Sequence, residues 1–437
     1  MAKCAWLLLA AIVIAGCAAA PVASAPSAGG PVTQPPASVT PSAALSASAS
    51  AGVAASASPG PAASAQAPVW HAVAPATGLG DLIGLNVVGW FKDRWIAFGD
   101  TTDGPAAWWS MDGSAWTAAD VHPDGALKSP DVHVTAIASN GETAVAVASL
   151  NENTSGGSVD IPLADGRSIP QPVVLGVARS DQPRVVPAAT CEGLGSADAA
   201  VLTTTDGVTW TRVPDSRVLR GQPMLGVTEF QGGFVAAGGA DGSGRSAAWT
   251  SPDGRDWTRA PDSAALQAGW IGDIATLGNS VVAVGGSACG NTGGVPRAWS
   301  SVDGRTWSLA PGLVSGTCCG AAYHVAAGKT IAASDGVASA PGGGDLAGTT
   351  WTSTDGMTWA PHPQPDRADP SWIGRIAAAS DGFLEAGGGL WASPDGVTWT
   401  PVAPADSGLT GIAIGPNGAL AVGESIWAGP ASVVAHP

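Results

Sequence analysis

One seven-residue pattern recurs six times along this chain. SMDGSAW begins at Ser110, TTDGVTW at Thr204, SPDGRDW at Ser251, SVDGRTW at Ser301, STDGMTW at Ser353 and SPDGVTW at Ser393. Its aspartates are Asp112, Asp206, Asp253, Asp303, Asp355 and Asp395, spaced 94, 47, 50, 52 and 40 residues apart. A period of about 40–50 residues signals a propeller or solenoid, in which each unit buries its apolar face against the next. Each unit reads alike. An alternating apolar segment such as WIGDIATLG (from Trp270) comes first, then a Val/Ala strand such as VVAVGG (from Val281). A third strand runs into the pattern and a fourth leaves it. Four short strands with Gly, Asn and Asp between them read as an antiparallel blade.

The pattern itself reads as a turn between the third and fourth strands. Glycine accepts positive φ, aspartate bonds the backbone of its own turn, and the leading Ser or Thr caps neighbouring amides. The closing residues Trp116, Trp210, Trp257, Trp307, Trp359 and Trp399 pack over the hairpin. Trp108, Trp249, Trp299, Trp351 and Trp391 lie two residues before the turn, on one repeated sheet face. Those eleven are most of the 19 Trp that stand beside a single Tyr: the excess is core, repeated blade by blade.

These motifs resemble the Asp-box, or BNR, repeat of sialidase-like β-propellers, although here Gly follows Asp directly in all six copies, one residue early. The resemblance covers nearly all of residues 69–437. It implies that the turns are structural and lie on the face away from any active site.

Six turns define six blades. The 94-residue gap holds one blade with an insertion at about 150–190, because HVTAIASNGETAVAVAS (from His133) and AAVLTTTDGVTW (from Ala199) supply its strands. LTGIAIGPNGALAVGESIW, from Leu409, supplies three strands of a seventh blade that lacks the turn. VWHAVAP, from Val69, matches TWTPVAP, from Thr398, and supplies the missing strand, with Trp70 in the place of a turn tryptophan. The expected fold is all-β: a seven-bladed propeller over residues 67–437, of four-stranded antiparallel blades, closed by the N-terminal strand. Closure protects edges that would otherwise pair with other chains.

Upstream of the ring, Lys3 precedes an apolar run from Ala5 to Ala15, the length of a signal-peptide core. It ends in IAGC, which resembles a bacterial lipobox; the resemblance implies that residues 1–16 are removed and that Cys17 carries lipid. Residues 18–66 are Ala, Ser, Pro and Gly with few other types, no charge and no aromatic ring. Such a segment buries too little to offset its ordering entropy, so 17–66 reads as a disordered tether. The expected protein is an extracytoplasmic monomer, lipid-anchored to a bacterial membrane. Its net charge of −16 argues against nucleic acid, whose binding needs Lys and Arg on phosphate.

Beyond Cys4 in the signal and Cys17, four cysteines remain: Cys191, Cys289, Cys318 and Cys319. An oxidising compartment makes them disulfide candidates, with Cys289 pairing to Cys318 or Cys319 as the favoured bridge and three connectivities open. No CxxC occurs and the histidines are not clustered with them, so no metal or cofactor is expected.

By topology the cysteines, the insertion and the starts of the innermost strands share the face opposite the turns. Three blades place polar residues there in equivalent positions: Asp273 near Trp270, His324 beside Tyr323, and Arg375 near Trp372. The expected counterparts elsewhere are apolar: Leu85, Ala136, Val227 and Ile412. These six polar and aromatic residues form a candidate ligand site at the channel mouth. An internal salt-bridge network between blades explains the same residues.

The sialidase resemblance implies three arginines on a substrate carboxylate, a Tyr–Glu nucleophile pair and an Asp acid. The chain departs from this. It has no Phe-Arg-Ile-Pro motif, Tyr323 is flanked by AAYHVA without an acid, and Arg375 is the only Arg at the expected mouth, with Arg94, Arg297 and Arg367 able to approach. AAGKT, ending at Thr330, is half a P-loop explained by a hairpin, and neither HExxH nor GxSxG occurs. A pair of carboxylates leaves no local signature, so a hydrolase of that kind stays open. The favoured function is a non-catalytic propeller that binds a protein or envelope ligand. The alternatives are a sialidase-like glycoside hydrolase and a glycan-binding module using Trp270 and Trp372.

Overall fold

The computed structural model describes residues 69–73, 77–123, 127, 132–150, 159–162, 168–171, 198–239, 245–287, 295–313, 320–328, 331–338, 347–364, 374–387, 389–403 and 408–433. Apart from a two-stranded hairpin, they form seven β-sheets arranged as the blades of a propeller, numbered here in chain order. The innermost strands are Leu82–Phe91, Val132–Ser139, Gly226–Phe230, Trp270–Leu277, Gly320–Ala327, Arg375–Ala379 and Leu409–Gly415. Each pairs antiparallel with the strand that follows it, and the third and fourth strands continue outward. Blade 7 is completed from the other end of the chain. His71 pairs with Ala428 and Ala72 with Trp427, and the Val73 amide donates to the Ile426 carbonyl at 2.8 Å. Trp70 anchors this closure: it is 7% exposed and lies against Gly429, where any Cβ would meet its ring. The closing strand expected from VWHAVAP is therefore present, with Trp70 in the turn-tryptophan place.

The core is not one mass. Among the described residues it divides into seven clusters, one at each blade–blade interface; Val145 and Val147 of blade 2, for instance, meet Phe234, Ala236 and Trp249 of blade 3. This explains the second strands. Val281–Val284 is buried on both faces because a blade has a neighbour on each side, so the run is continuously apolar rather than alternating. Small Val and Ala there leave room for the large residues of the third strand. Trp249, Trp299 and Trp351 are wholly buried. Each removes about 150–250 Å² from water, up to about 4–6 kcal/mol as an upper bound. Trp249 Nε1 donates to Val218 O at 2.6 Å and Trp299 Nε1 to Ala265 O at 2.8 Å, in the 3-10 turns that precede blades 3 and 4.

The six repeat turns share one set of bonds. In the turn at Ser301, the serine hydroxyl donates to Asp303 Oδ1 (3.1 Å), and that oxygen also accepts from the Arg305 and Thr306 amides at 2.8 and 2.6 Å. Trp307 Nε1 closes the loop on Gly304 O at 3.1 Å, as the closing indole does in every turn but that of blade 2. Gly304 is required twice over. Its φ is +69°, and a Cβ would stand 2.7 Å from Val235 Cγ2 of the preceding blade. The other five turn glycines also have positive φ and seat on the blade before them, so each turn staples two blades together. The bonds hold the aspartates ionised. The Ala115 and Ser114 amides bring Asp112 down to about 2. Asp253 and Asp355 are lowered first by the Asp256 and Thr358 amides. In Asp206, Asp303 and Asp395 burial pushes the other way, and the amides of Thr209, Thr306 and Thr398 outweigh it.

Blade 2 departs from the repeat. Its strands Val132–Ser139, Ala144–Leu150, Asp198–Thr204 and Thr209–Arg212 form one sheet, so the 94-residue gap holds no extra blade. A fifth strand, Asp120–His122, pairs parallel to its outer edge. The stretch after the first turn thus serves two sheets: Thr117–Ala118 ends blade 1 and Asp120–His122 caps blade 2. Trp210 responds to this crowding. It has no exposed surface, stacks edge-on against Phe98 at 5.0 Å, and leaves Nε1 without an acceptor.

Candidate functional site

Five innermost strands carry a β-bulge near their start, at Asn86, Thr135, Gly272, Tyr323 and Thr410. A bulge inserts one residue and re-aims its side chain. Here bulged residues reach the next blade: the Thr410 hydroxyl donates to Leu85 O at 3.0 Å, and Thr135 Oγ1 lies 2.9 Å from Met224 O. Counted along the second strands from the residue facing the turn serine, Asp273, His324 and Arg375 pair at the same rung, opposite Val284, Asp335 and Ala386. The three are equivalent, as expected. Their counterparts need correcting. The same rung holds Val87, Ala136, Gly226 and Gly411, not Leu85, Val227 and Ile412. Matching apolar residues in the sequence does not count the inserted bulge residue, which changes the alignment. At this level blades 1, 2, 3 and 7 thus carry no polar side chain, whereas blades 4, 5 and 6 carry three.

The trio converges on one atom. Asp273 Oδ2 receives Arg375 Nη1 at 3.4 Å and the Val325 amide at 3.3 Å, and His324 Nδ1 stands 3.8 Å away. Asp273 Oδ1 accepts the Ile274 amide at 2.9 Å. Arg375 then crosses the channel: Nη2 donates to the Thr135 carbonyl on blade 2. The side chains of Asp273, His324 and Arg375 are 10, 18 and 24% exposed. Burial holds the His324 imidazole below its usual range, against the pull of Asp273, so the ring is neutral near pH 7, with its buried Nδ1 beyond hydrogen-bond distance of Asp273.

A residue that the sequence reading passed over supports the trio. Asp335, on the second strand of blade 5, is fully buried. It accepts the His324 amide at 2.9 Å and the Gly374 amide at 3.2 Å, so one carboxylate fixes the backbone at two of the three positions. The signal was available: ASDG breaks a Val/Ala strand with an acid where the other blades have Phe98, Val147, Ala237, Val284, Ala386 and Val422. The Tyr323 phenol is pushed up to about 12 by burial and then by the Asp335 charge. Its ring lies 6.0 Å from that of Trp270, which is only 6% exposed and serves as packing behind Asp273.

Other expected contributors lie elsewhere. Arg94 sits beside the repeat turns, paired to Asp93 at 2.9 Å and stacked over Trp109 at 5.0 Å, and does not approach the mouth. Arg297 begins a third strand of blade 4, with Nε buried and unbonded. Trp372, Arg367, Cys17, Cys191, Cys289, Cys318 and Cys319 fall outside the described residues, as does most of the 150–190 insertion. Within the insertion a small hairpin pairs Val159–Pro162 with Ser168–Gln171.

Beneath the trio the channel opens into a cavity of about 160 Å³. Asp273 and Arg375 line one wall, and the rest is largely apolar, including Ile137, Ile274 and Ile412.

No family model matches the chain, and no curated protein matches it. Solved structures do. YCF48 bound to D1 peptide aligns with 86% of this chain and 99% of its own at a TM-score of 0.50 and 14% identity. The β-propeller domain of the Trilobed protease from Pyrococcus furiosus covers 78% of this chain and 90% of its own, at 0.43 and 7%. Trypanosoma rangeli sialidase in complex with 2,3-difluorosialic acid covers 79% of this chain and 54% of its own, at 0.41 and 12%. At these identities the likeness is one of fold: the chain is a seven-bladed β-propeller.

Proposed function

We propose that this chain is a non-catalytic binding protein of the cell envelope, held at a bacterial membrane by lipid on Cys17 and spaced from it by residues 17–66. The propeller offers its mouth face to a protein or envelope ligand. The six turns are Asp-box-like staples on the far face. The observation that carries this reading is the trio itself. Closing a ring of blades does not need polar side chains at that rung, since blades 1, 2, 3 and 7 close with Val, Ala and Gly there. Convergent polar groups over an apolar cavity are what a binding site requires.

Binding is favoured over turnover because the acids are already engaged. Asp273 and Asp335 accept main-chain amides, and Asp273 also holds Arg375. A phenol held near 12 is a poor nucleophile without a base to take its proton. YCF48, whose structure holds a D1 peptide, suggests a protein ligand by fold analogy only.

The test is binding of residues 67–437 to arrays of host and bacterial glycans and to envelope proteins by cross-linking, with released sugar assayed in parallel. Binding without release, lost when residues 150–190 are deleted, is the expected result. Sugar release that disappears in Tyr323→Phe would replace this reading with the hydrolase.

A further inference from the structure

We infer that the bore of the ring takes one apolar side chain, of leucine to phenylalanine size, from an extended stretch of a protein ligand, and that the adjoining main-chain carbonyl accepts from Arg375. This rests on the binding reading above and specifies its ligand.

Three observations carry it. The first is size and lining. The cavity under the trio measures about 160 Å³, with Val87, Ile137, Val227, Ile274, Ile376 and Ile412 in its walls. A volume of about 150 Å³ is enough for a benzene-sized guest. The bore also continues. A second cavity of about 320 Å³ shares Val88, Ile137 and Ile412 with the first and runs on past Trp90 and Phe91. A side chain longer than leucine therefore meets open space rather than a floor.

The second is unspent hydrogen-bonding capacity beside that apolar volume. A guanidinium has five N–H donors. Among the described residues Arg375 uses them on Asp273 and on the Thr135 carbonyl, leaving donors over. A peptide unit presents a carbonyl acceptor, which matches a spare guanidinium N–H.

The third is charge. The guanidinium is matched by the Asp273 carboxylate at 3.4 Å. A neutral acceptor suits this site, whereas a ligand carboxylate or phosphate would have to compete with Asp273. The walls set Asn86, Asp273 and Arg375 beside aliphatic side chains, and an apolar residue in an extended peptide likewise joins a polar main chain to an apolar side chain.

The experiment uses the purified full chain with labelled isoleucine δ1 methyls, since Ile137, Ile274, Ile376 and Ile412 all line the cavity. N-acetyl-leucinamide and N-acetyl-phenylalaninamide are titrated against N-acetyl-asparaginamide. Saturable shifts at these four methyls with the apolar amides, and a response roughly tenfold weaker or less with the asparagine amide, are expected. Ala136→Leu fills the bore and should abolish the shifts. Arg375→Gln, which removes the guanidinium and shortens the side chain, should weaken binding about tenfold; it carries the test should Ala136→Leu not fold. Silent methyls, equal response to all three amides, or undiminished binding in Arg375→Gln overturns the inference. A chain that captures an envelope protein while these methyls stay silent keeps the binding reading and loses this one. Responsive methyls with no macromolecular ligand do the reverse.

Discussion

The two faces of the ring are built on opposite principles. On one, six turns repeat the same bonds: a hydroxyl on an aspartate, two amides on that aspartate, and a positive-φ glycine pressed against the preceding blade. On the other, the same rung of seven equivalent strands carries aspartate, histidine and arginine in three neighbours and no polar side chain in the other four. Where every blade meets the same mechanical demand, the residues repeat. Where the repeat breaks without the ring needing it, the residues are those assigned above to the proposed ligand. Asp303 and Asp273 make the contrast concrete: the first bonds within its own turn, the second gathers groups from blades 5 and 6.

If that division holds, changes on the turn face and in the closing strand cost stability and spare binding, and changes at the mouth lower binding. The largest effect is expected at the closure. Trp70→Ala should cost about 3–5 kcal/mol in urea unfolding, and deleting residues 69–73 more; an unchanged midpoint would mean the ring does not depend on its N-terminal strand. Next, Gly304→Ala should cost about 2–4 kcal/mol, combining left-handed backbone with a Cβ driven into Val235. Gly141→Ala, also at positive φ (+89°) but with open space around it, should cost only about 1–2 kcal/mol. Equal losses in the two would show that the turn glycines are needed for conformation and not for blade seating. Asp303→Ala strands two amides and should cost about 1–3 kcal/mol.

Acid probes the same turns collectively. The lowered aspartates bind protons more weakly folded than unfolded, so their contribution is complete above the ordinary value of 3.8 and is lost as pH falls towards about 2 for Asp112. Melting followed from pH 5 to 2 should show a decline over that window, reduced in Asp112→Asn. At the mouth ligand binding should fall in Arg375→Gln, which should also cost about 1–3 kcal/mol, because the shorter side chain gives up Thr135 and leaves Asp273 without its guanidinium. His324 is lowered too, so it favours the folded state above its ordinary 6.5 and opposes it as pH drops. His324→Phe should remove that part of the pH dependence.

The ring was legible in the sequence because each blade restates it. The turn pattern, the Val/Ala second strand and the pre-turn tryptophan recur with the period of a supersecondary unit, and the match between VWHAVAP and TWTPVAP marked the closing strand before any contact was known. Local chemistry is sufficient for such features: a positive-φ glycine, a capping hydroxyl and a buried indole act within one hairpin or on its nearest neighbour. The equivalence of Asp273, His324 and Arg375 was visible for the same reason. Their grouping on a single carboxylate oxygen was not, since it depends on Arg375 reaching blades 4 and 2 from blade 6. The bulges, the two amides that Asp335 binds and the strand Asp120–His122 capping blade 2 were equally out of reach. Sequence alone determined the repeat, the blade count and the closure, because those follow from periodicity and near-neighbour packing. Only the tertiary structure decided which side chains meet across the bore, because a ring brings together residues such as Thr135 and Arg375, 240 positions apart.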